Sequence, residues 1–337
     1  MTRLLAPVVL LSVVLVATGC GGDGGDGEPT AFPTSVDPSR NTPTEVVGSV
    51  NVLLAGGYWV VGENNFVFGI TDGSDLPQGG ASVTATFFDL RDVENPRPVF
   101  SAEAVQSAPG VGEVVEHVHA SGEPHVHGGQ DDNRVGYYVR VEFTHPGTWG
   151  VSVDVTLKDG TTGTRNLAFD VLDRPLIATP GQRAPASVNL TAADVNDISQ
   201  IDSGDVPNDM HDVIIKDAID AGRPFVVVFA TPAYCTSRFC GPVVEEIESL
   251  HDDYKEDVDF IHIEIWGNFA EQMLLETVKE WIQQPNGSLS EPMVYVVDKD
   301  GIIYDSWEGP IARNIVEAAV QEVASGQTYL DRVSASN

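Results

Sequence analysis

The sequence predicts two domains of different class, an all-β sandwich followed by an α/β fold, carried on an exported chain. Three observations predict this. Residues 46–173 hold short runs of alternating hydrophobicity, broken by Gly, Pro, Asn and Asp clusters and without a helical period. From residue 209 continuous apolar runs of strand length alternate with segments of helical spacing. Ahead of both, an apolar leader ends in a cysteine.

That leader reads MTRLLAPVVLLSVVLVATGC. Arg3 gives a positive start, and the apolar run from Leu4 to Ala17 is short for a membrane span, so residues 1–19 read as a secretory signal. The stretch ATGC resembles a bacterial lipobox, although Ala17 stands where that motif usually has leucine. The resemblance implies acylation of Cys20 and a lipid anchor to the extracytoplasmic face of the cell membrane. An ordinary signal peptide cleaved nearby is the alternative. Residues 20–45 are rich in Gly, Asp, Pro and Thr and read as a flexible tether. Outside the cytoplasm a thiol pair can persist as a disulfide. Against 18 Lys and Arg stand 50 Asp and Glu, a net charge of −32, which argues against nucleic acid and against electrostatic binding to an anionic lipid surface.

Within residues 46–173 the strand candidates are SVNVLLAG, FVFGITD, ASVTATFFDL, RPVFSAEAV, GYYVRVEFT, TWGVSVDVTL and TRNLAFDVL. Short strands at this spacing suggest a sandwich of Ig-like type. The ending HPGTWGVSVDVTLKDGTTGTRNLAFDVL resembles small exported YtkA-like domains, some of which accompany copper or cytochrome-oxidase assembly factors. Inside this region EHVHASGEPHVHGG contains His117, His119, His125 and His127. In an extended chain each H-V-H pair shares one face, and ASGEP reads as a hairpin loop that brings the pairs together. Four imidazoles on one face suit Cu²⁺ or Zn²⁺, and a solvated His-rich loop without a fixed ligand is the alternative.

Residues 174–208 are rich in Pro, Ala, Ser and Asp and read as a linker draped over the next domain. Residues 209–331 then give MHDVIIKDAIDAG as a helix stopped by Gly222, and PFVVVFA as a strand covered on both faces. VVEEIESLHDDY follows as a helix, VDFIHIEI as a strand and AEQMLLETVKEWIQQ as a helix. MVYVVD and IIYDSW form a strand pair around DKDG, and IARNIVEAAVQEVAS is a last helix. His211 and His262 read as ordinary helix and strand residues, and His145 as a turn residue.

Between the first of those strands and the next helix lies TPAYCTSRFCGP, with Cys235 and Cys240. VVVFATPAYC and SEPMVYVVDKDGIIYDSWEG resemble exported thioredoxin-like proteins of the TlpA/ResA kind. The resemblance implies a thioredoxin-like fold, a cis-proline at Pro292 facing the cysteines, and thiol–disulfide exchange with exported proteins that needs no cofactor. In that reading Cys235 is the nucleophile and Cys240 the resolving cysteine. The gap departs from the family's C-x-x-C, and the buried acid of some thioredoxins is replaced by Val228. In a second register FCGP resembles the start of WCGPC, with Cys240 as nucleophile. TPAYCTSRFC also resembles the Q-type peroxiredoxin motif with one residue inserted, but SLSEPMVYVV lacks the arginine that a thiol peroxidase needs ahead of that strand. The copper-handling Sco proteins differ in spacing and in their DPxxD stretch.

In an intact helix, residues five apart point about 140° away from each other, so the pair meets only if helix formation starts late. Pro242 suits a first helical position, which leaves both cysteines in the preceding loop. The helix N-terminus and Arg238 then favour a thiolate, and an ionised Glu291 beside Pro292 opposes it. A disulfide this short contributes about 2 kcal/mol through chain entropy, so a passive staple, with the histidines as a metal carrier, is the competing account.

Overall fold

A computed structural model describes residues 46–47, 50–72, 78–110, 115–118, 124–127, 135–235 and 239–335. The leader with Cys20, the tether, His119 and Arg238 lie outside them. Among the described residues twelve strands precede residue 173: β1 (Val46–Val47), β2 (Asn51–Leu54), β3 (Trp59–Val60), β4 (Gly62–Thr71), β5 (Ser82–Asp89), β6 (Arg97–Glu103), β7 (Val105–Ser107), β8 (Val115–Val118), β9 (Pro124–His127), β10 (Gly136–Phe143), β11 (Gly147–Thr156) and β12 (Thr162–Leu172). One sheet runs β1-β12-β11-β5-β6, with β3 added in parallel on β12. A second runs β2-β4-β10-β7, and β8 pairs with β9 in a separate hairpin.

The two sheets share one apolar core. Phe66, Phe68 and Ile70 of β4 and Tyr137, Val139, Val141 and Phe143 of β10 face Phe87, Trp149, Val151, Val153 and Phe169. This is the period-two pattern of strands with one side inward. The run RPVFSAEAV is not one strand: it breaks at Ala104, giving β6 to the first sheet and β7 to the second.

The remaining elements are α1 (Ile215–Ala221), β13 (Phe225–Phe229), α2 (Cys240–Tyr254), β14 (Asp259–Ile263), β15 (Trp266–Asn268), β16 (Met273–Leu274), α3 (Glu276–Trp281), β17 (Met293–Val297), β18 (Ile303–Glu308), α4 (Arg313–Ala324) and α5 (Tyr329–Ala335). The sheet order is β14-β13-β17-β18, with β13 and β14 parallel and the other pairs antiparallel. Every residue of β13 is buried because alternate side chains enter different cores. Val226 and Val228 pack with α2 and α4, while Phe225, Val227 and Phe229 pack with α1 and α3. The strand and helix order around the cysteines is the one the thioredoxin resemblance implies.

Three expectations change. The helix expected over 270–284 is only Glu276–Trp281, because Met273 and Leu274 pair with Trp266–Asn268 in a hairpin that turns at Gln272, φ 52°. Backbone pairing there outweighs helix propensity. Helix α2 starts at Cys240, so Cys240 lies within its first turn rather than in the loop before it. Pro242 is its third residue, still where a backbone N–H lacks an intrahelical acceptor. The segment expected as a linker caps one sheet edge, and Met210, just beyond it, caps the other. Gly181 N donates to Ile303 O (2.9 Å) and Ile303 N to Gln182 O (2.9 Å) beside β18, while His262 N donates to Met210 O (2.8 Å) beside β14.

The outer face of β4 and β10 packs against the α/β part, with Val67 and Tyr138 in the core of α2 and α4. The Tyr138 hydroxyl donates toward the carbonyls of Pro310 (2.9 Å) and Glu308 (3.0 Å). Asn65 Nδ2 donates to Asp305 Oδ1 (3.0 Å) and to Ser306 O (2.8 Å), and Arg140 pairs with Asp305.

Candidate functional site

Parallel pairing sets Phe229 beside Ile263, and antiparallel pairing sets Phe229 beside Met293. The chain therefore leaves β13 and β14, and enters β17, at one end of the sheet. The cysteine loop and the Glu291–Pro292 peptide both belong to that end. The Glu291–Pro292 bond is cis. The loop is held by Tyr234 N donating to Thr231 O (3.3 Å) and Ala233 N donating to Ser203 Oγ (3.1 Å).

Cys235 and Cys240 form a disulfide with Cα atoms 6.0 Å apart, inside the usual range. The two sulfurs are unequal in access. Cys235 is half-buried in the loop, whereas Cys240 is fully buried at the start of the fifteen-residue α2. A helix N-terminus presents unpaired N–H groups and the positive end of the helix dipole, which favours negative charge on a sulfur placed there. Burial raises the proton affinity of the Glu291 carboxyl, and the charge of Glu264 raises it further. Its opposition to a nearby thiolate is correspondingly smaller than a surface carboxylate's.

Among the described residues the structure gathers polar groups at this end that the sequence left scattered. Asp202 Oδ2 accepts from Asn208 N (3.0 Å), Asn208 Nδ2 (2.8 Å) and His211 Nε2 (3.0 Å). Burial alone would raise the Asp202 carboxyl, but the His211 donor and the neighbouring His262 imidazole outweigh it and hold it well below the carboxylate range. Burial lowers the proton affinity of His211. Asn208 Oδ1 accepts from Met210 N (3.0 Å), which turns Nδ2 toward His262 Nδ1 (2.8 Å). His262 Nδ1 is then an acceptor, and Nε2–H donates to Ala230 O (3.2 Å), the residue after β13. The cluster thus ties residues 202–211 to the strand that leads into the cysteine loop.

Asp202, His211 and His262 bring their ligand atoms within 4.8 Å of one another, a donor set that suits Zn²⁺ or Cu²⁺. Asn208 Nδ2 already bonds two of those atoms, so a cation entering here must displace the Asn208 side chain. His211 lies ahead of α1 rather than in a helix, both it and His262 of β14 are more than ordinary helix or strand residues, and Asp202 was not singled out. No local pattern could have found them, since they are separated along the chain and meet only through the fold.

A second group missed from sequence is Glu248, two turns beyond Cys240 on α2 and 3 % exposed. Burial pushes its carboxyl up to about 8, with Asp209, Asp252 and Asp202 adding to the rise against the N–H of Asp209. In the other candidate site, the β8–β9 register sets His117 opposite His125 and His127 opposite Val115. The arginine a peroxidase reading would recruit after the last strand pair, Arg313, is engaged by Asp253, Glu317 and the carbonyl of Ser249.

No family model matches this chain, and no curated protein matches it. Among solved structures it is similar to a thiol:disulfide interchange protein, a thioredoxin family protein from Chlorobium tepidum TLS, at 13 % identity and a TM-score of 0.29, over 45 % of this chain and 97 % of that one.

Proposed function

We propose that the protein is an extracytoplasmic thiol–disulfide oxidoreductase, anchored by lipid at Cys20, in which an Ig-like sandwich (residues 46–173) accompanies a thioredoxin-like domain (residues 209–331). The observation that carries this reading is the unequal access of the two sulfurs at the end of the sheet where the chain turns into α2. An exchange pair needs one reachable sulfur and one shielded partner. Cys235 is the reachable one and Cys240, fully buried, the partner. In the reduced protein the Cys235 thiolate attacks a disulfide of an exported protein, forming a mixed disulfide and expelling the partner's first thiolate. Cys240 then attacks Cys235 Sγ, which expels the second thiolate and leaves the Cys235–Cys240 disulfide. Pro292 lines the same end of the sheet, Glu291 and Arg238 modulate the thiolate, and no cofactor takes part.

The test is equilibration with glutathione buffers followed by mass-spectrometric counting of alkylated thiols. A reduction potential between about −120 and −270 mV fits a pair that turns over, and one below about −300 mV makes it a staple. A second reading, a copper or zinc carrier, is favoured by the register that sets His117 opposite His125. Metal affinity that survives loss of both cysteines and disappears with His117 and His125 would support it.

A further inference from the structure

Two clefts flank the cysteine loop and share Ser203. One, of about 330 Å³, is walled by Tyr234, Trp266, Phe269 and Leu275. Tyr234 precedes Cys235 directly and stacks on Phe269, rings 4.1 Å apart and 7° from parallel, while Trp266 meets Phe269 edge-on at 5.5 Å. Tyr234 and Phe269 remain 43 % and 42 % exposed. The indole N–H of Trp266 is buried without a hydrogen-bond partner. The aromatic wall comes from the hairpin β15–β16, the element that replaces the expected first half of a helix.

The other cleft, of about 290 Å³, is lined by Pro232 and Ala233 of the loop, by Gly241 and Val244 of α2, and by the carboxylates of Asp205 and Glu245, with Asp202 buried at its floor and Glu248, uncharged below about pH 8, beside it. No lysine or arginine lines either cleft among the described residues. Loop residues 232–234 form the ridge between them, so a chain crossing that ridge meets aromatic rings on one side and carboxylates on the other.

We propose that the two clefts read an extended segment of a partner protein, in which a disulfide-bonded cysteine is flanked by an aromatic or aliphatic side chain on one side and by a lysine or arginine on the other. This rests on the thiol-exchange reading and names its substrate class. Charge complementarity selects the basic flank: a chain of net charge −32 with a carboxylate-lined cleft attracts a cationic segment and repels an anionic one. Glutathione disulfide, whose carboxylates would face that cleft, is disfavoured on the same ground.

The experiment uses pre-reduced protein in single turnover, so its own dithiol supplies both electrons. Four symmetric peptide disulfides place Phe or Ala on one side of cysteine and Arg or Glu on the other, and bis(2-hydroxyethyl) disulfide serves as an uncharged probe. The expected result is a second-order rate about tenfold higher for Arg than for Glu at low ionic strength, shrinking in 0.5 M salt (about 4 Å screening), and about tenfold higher for Phe than for Ala. In Phe269→Ala the Phe-to-Ala ratio falls toward one with the Arg-to-Glu ratio retained, and in Asp205→Asn/Glu245→Gln the reverse holds. Equal rates for all four peptides overturn the proposal while exchange with the uncharged probe keeps the thiol-exchange reading. No exchange with any disulfide overturns that reading itself. The wild-type peptide comparison decides even where a variant fails to fold.

Discussion

Glu248 offers a measurement whose size follows from its surroundings. Its carboxyl sits at about 8 in the folded protein against an ordinary 4.5, chiefly through burial. A group whose folded pKa is raised contributes its full stability below the unfolded pKa and loses it as pH rises toward the folded value. At about 1.4 kcal/mol per tenfold change in proton affinity, ionising Glu248 penalises the folded state by about 5 kcal/mol once pH exceeds 8. At pH 7 the same arithmetic gives about 3 kcal/mol, and at pH 4.5 less than about 1 kcal/mol. Glu248→Gln keeps the shape and the acceptor that faces Asp209 N, 3.4 Å away, without the charge. Urea unfolding of both proteins at pH 4.5, 7 and 9 should show the variant gaining stability with rising pH, by a margin of a few kcal/mol at pH 9. A difference that stays constant over that range would refute the reasoning, since only titration of this carboxyl makes it grow.

Four further outcomes are expected. Cys240→Ser should accumulate a mixed disulfide at Cys235 that peptide mapping identifies, whereas Cys235→Ser should trap none. Tyr138→Phe removes the donor shared by the carbonyls of Glu308 and Pro310 and should lower unfolding stability by about 1–2 kcal/mol in urea titrations. Asp202→Ala strands the buried donors of Asn208 and His211, and should cost about 2–4 kcal/mol and speed proteolysis within residues 190–208. Asp305→Ala leaves Arg140 and Arg332 without their shared acceptor and should give two calorimetric unfolding transitions where the unaltered protein is expected to give one.

How far the sequence carried depended on the range of the interactions. The apolar run FVVVF announced a central strand because both its faces are covered, and the structure sends alternate residues to two cores. Six of the seven alternating runs before residue 173 were legible for the converse reason, since one face of each meets a shared core, whereas RPVFSAEAV, largely exposed, splits between the two sheets. Residues 270–275 misled, because a helical composition there yields to hairpin pairing with Trp266–Asn268. Asp202, His211 and His262 were illegible as a group: nothing in a local window shows that histidines 9 and 60 positions beyond Asp202 meet it. Glu248 looked like one acid among several on α2, and only its 3 % exposure sets it apart.

One clue to the contact between the β-rich and α/β parts was present and passed over. GYYVRVEF of β10 starts with consecutive buried residues, Tyr137 and Tyr138, which a sheet with one wet face does not produce. Tyr137 enters the core between the two β-sheets, and Tyr138 enters the core of α2 and α4. The same doubling occurs at Phe66, Val67 and Phe68 on the neighbouring β4. At the centre of this face Asp305, 3 % exposed, accepts from Asn65 and pairs with Arg140 and with Arg332 of α5. Arg332 also lies over the rings of Tyr304, at 4.7 Å, and Tyr329, at 5.1 Å, and pairs with Glu63 of β4 at 2.9 Å. A buried carboxylate tolerates its desolvation only while its cationic partners stay in place, so separating the two parts would expose an unpaired charge on each side. Glu246 of α2, the helix that begins at Cys240, adds a second link: its carboxylate accepts from Gly110 N and Arg313 N, both at 2.7 Å. The helix bearing the buried cysteine is therefore braced directly against the β-rich part.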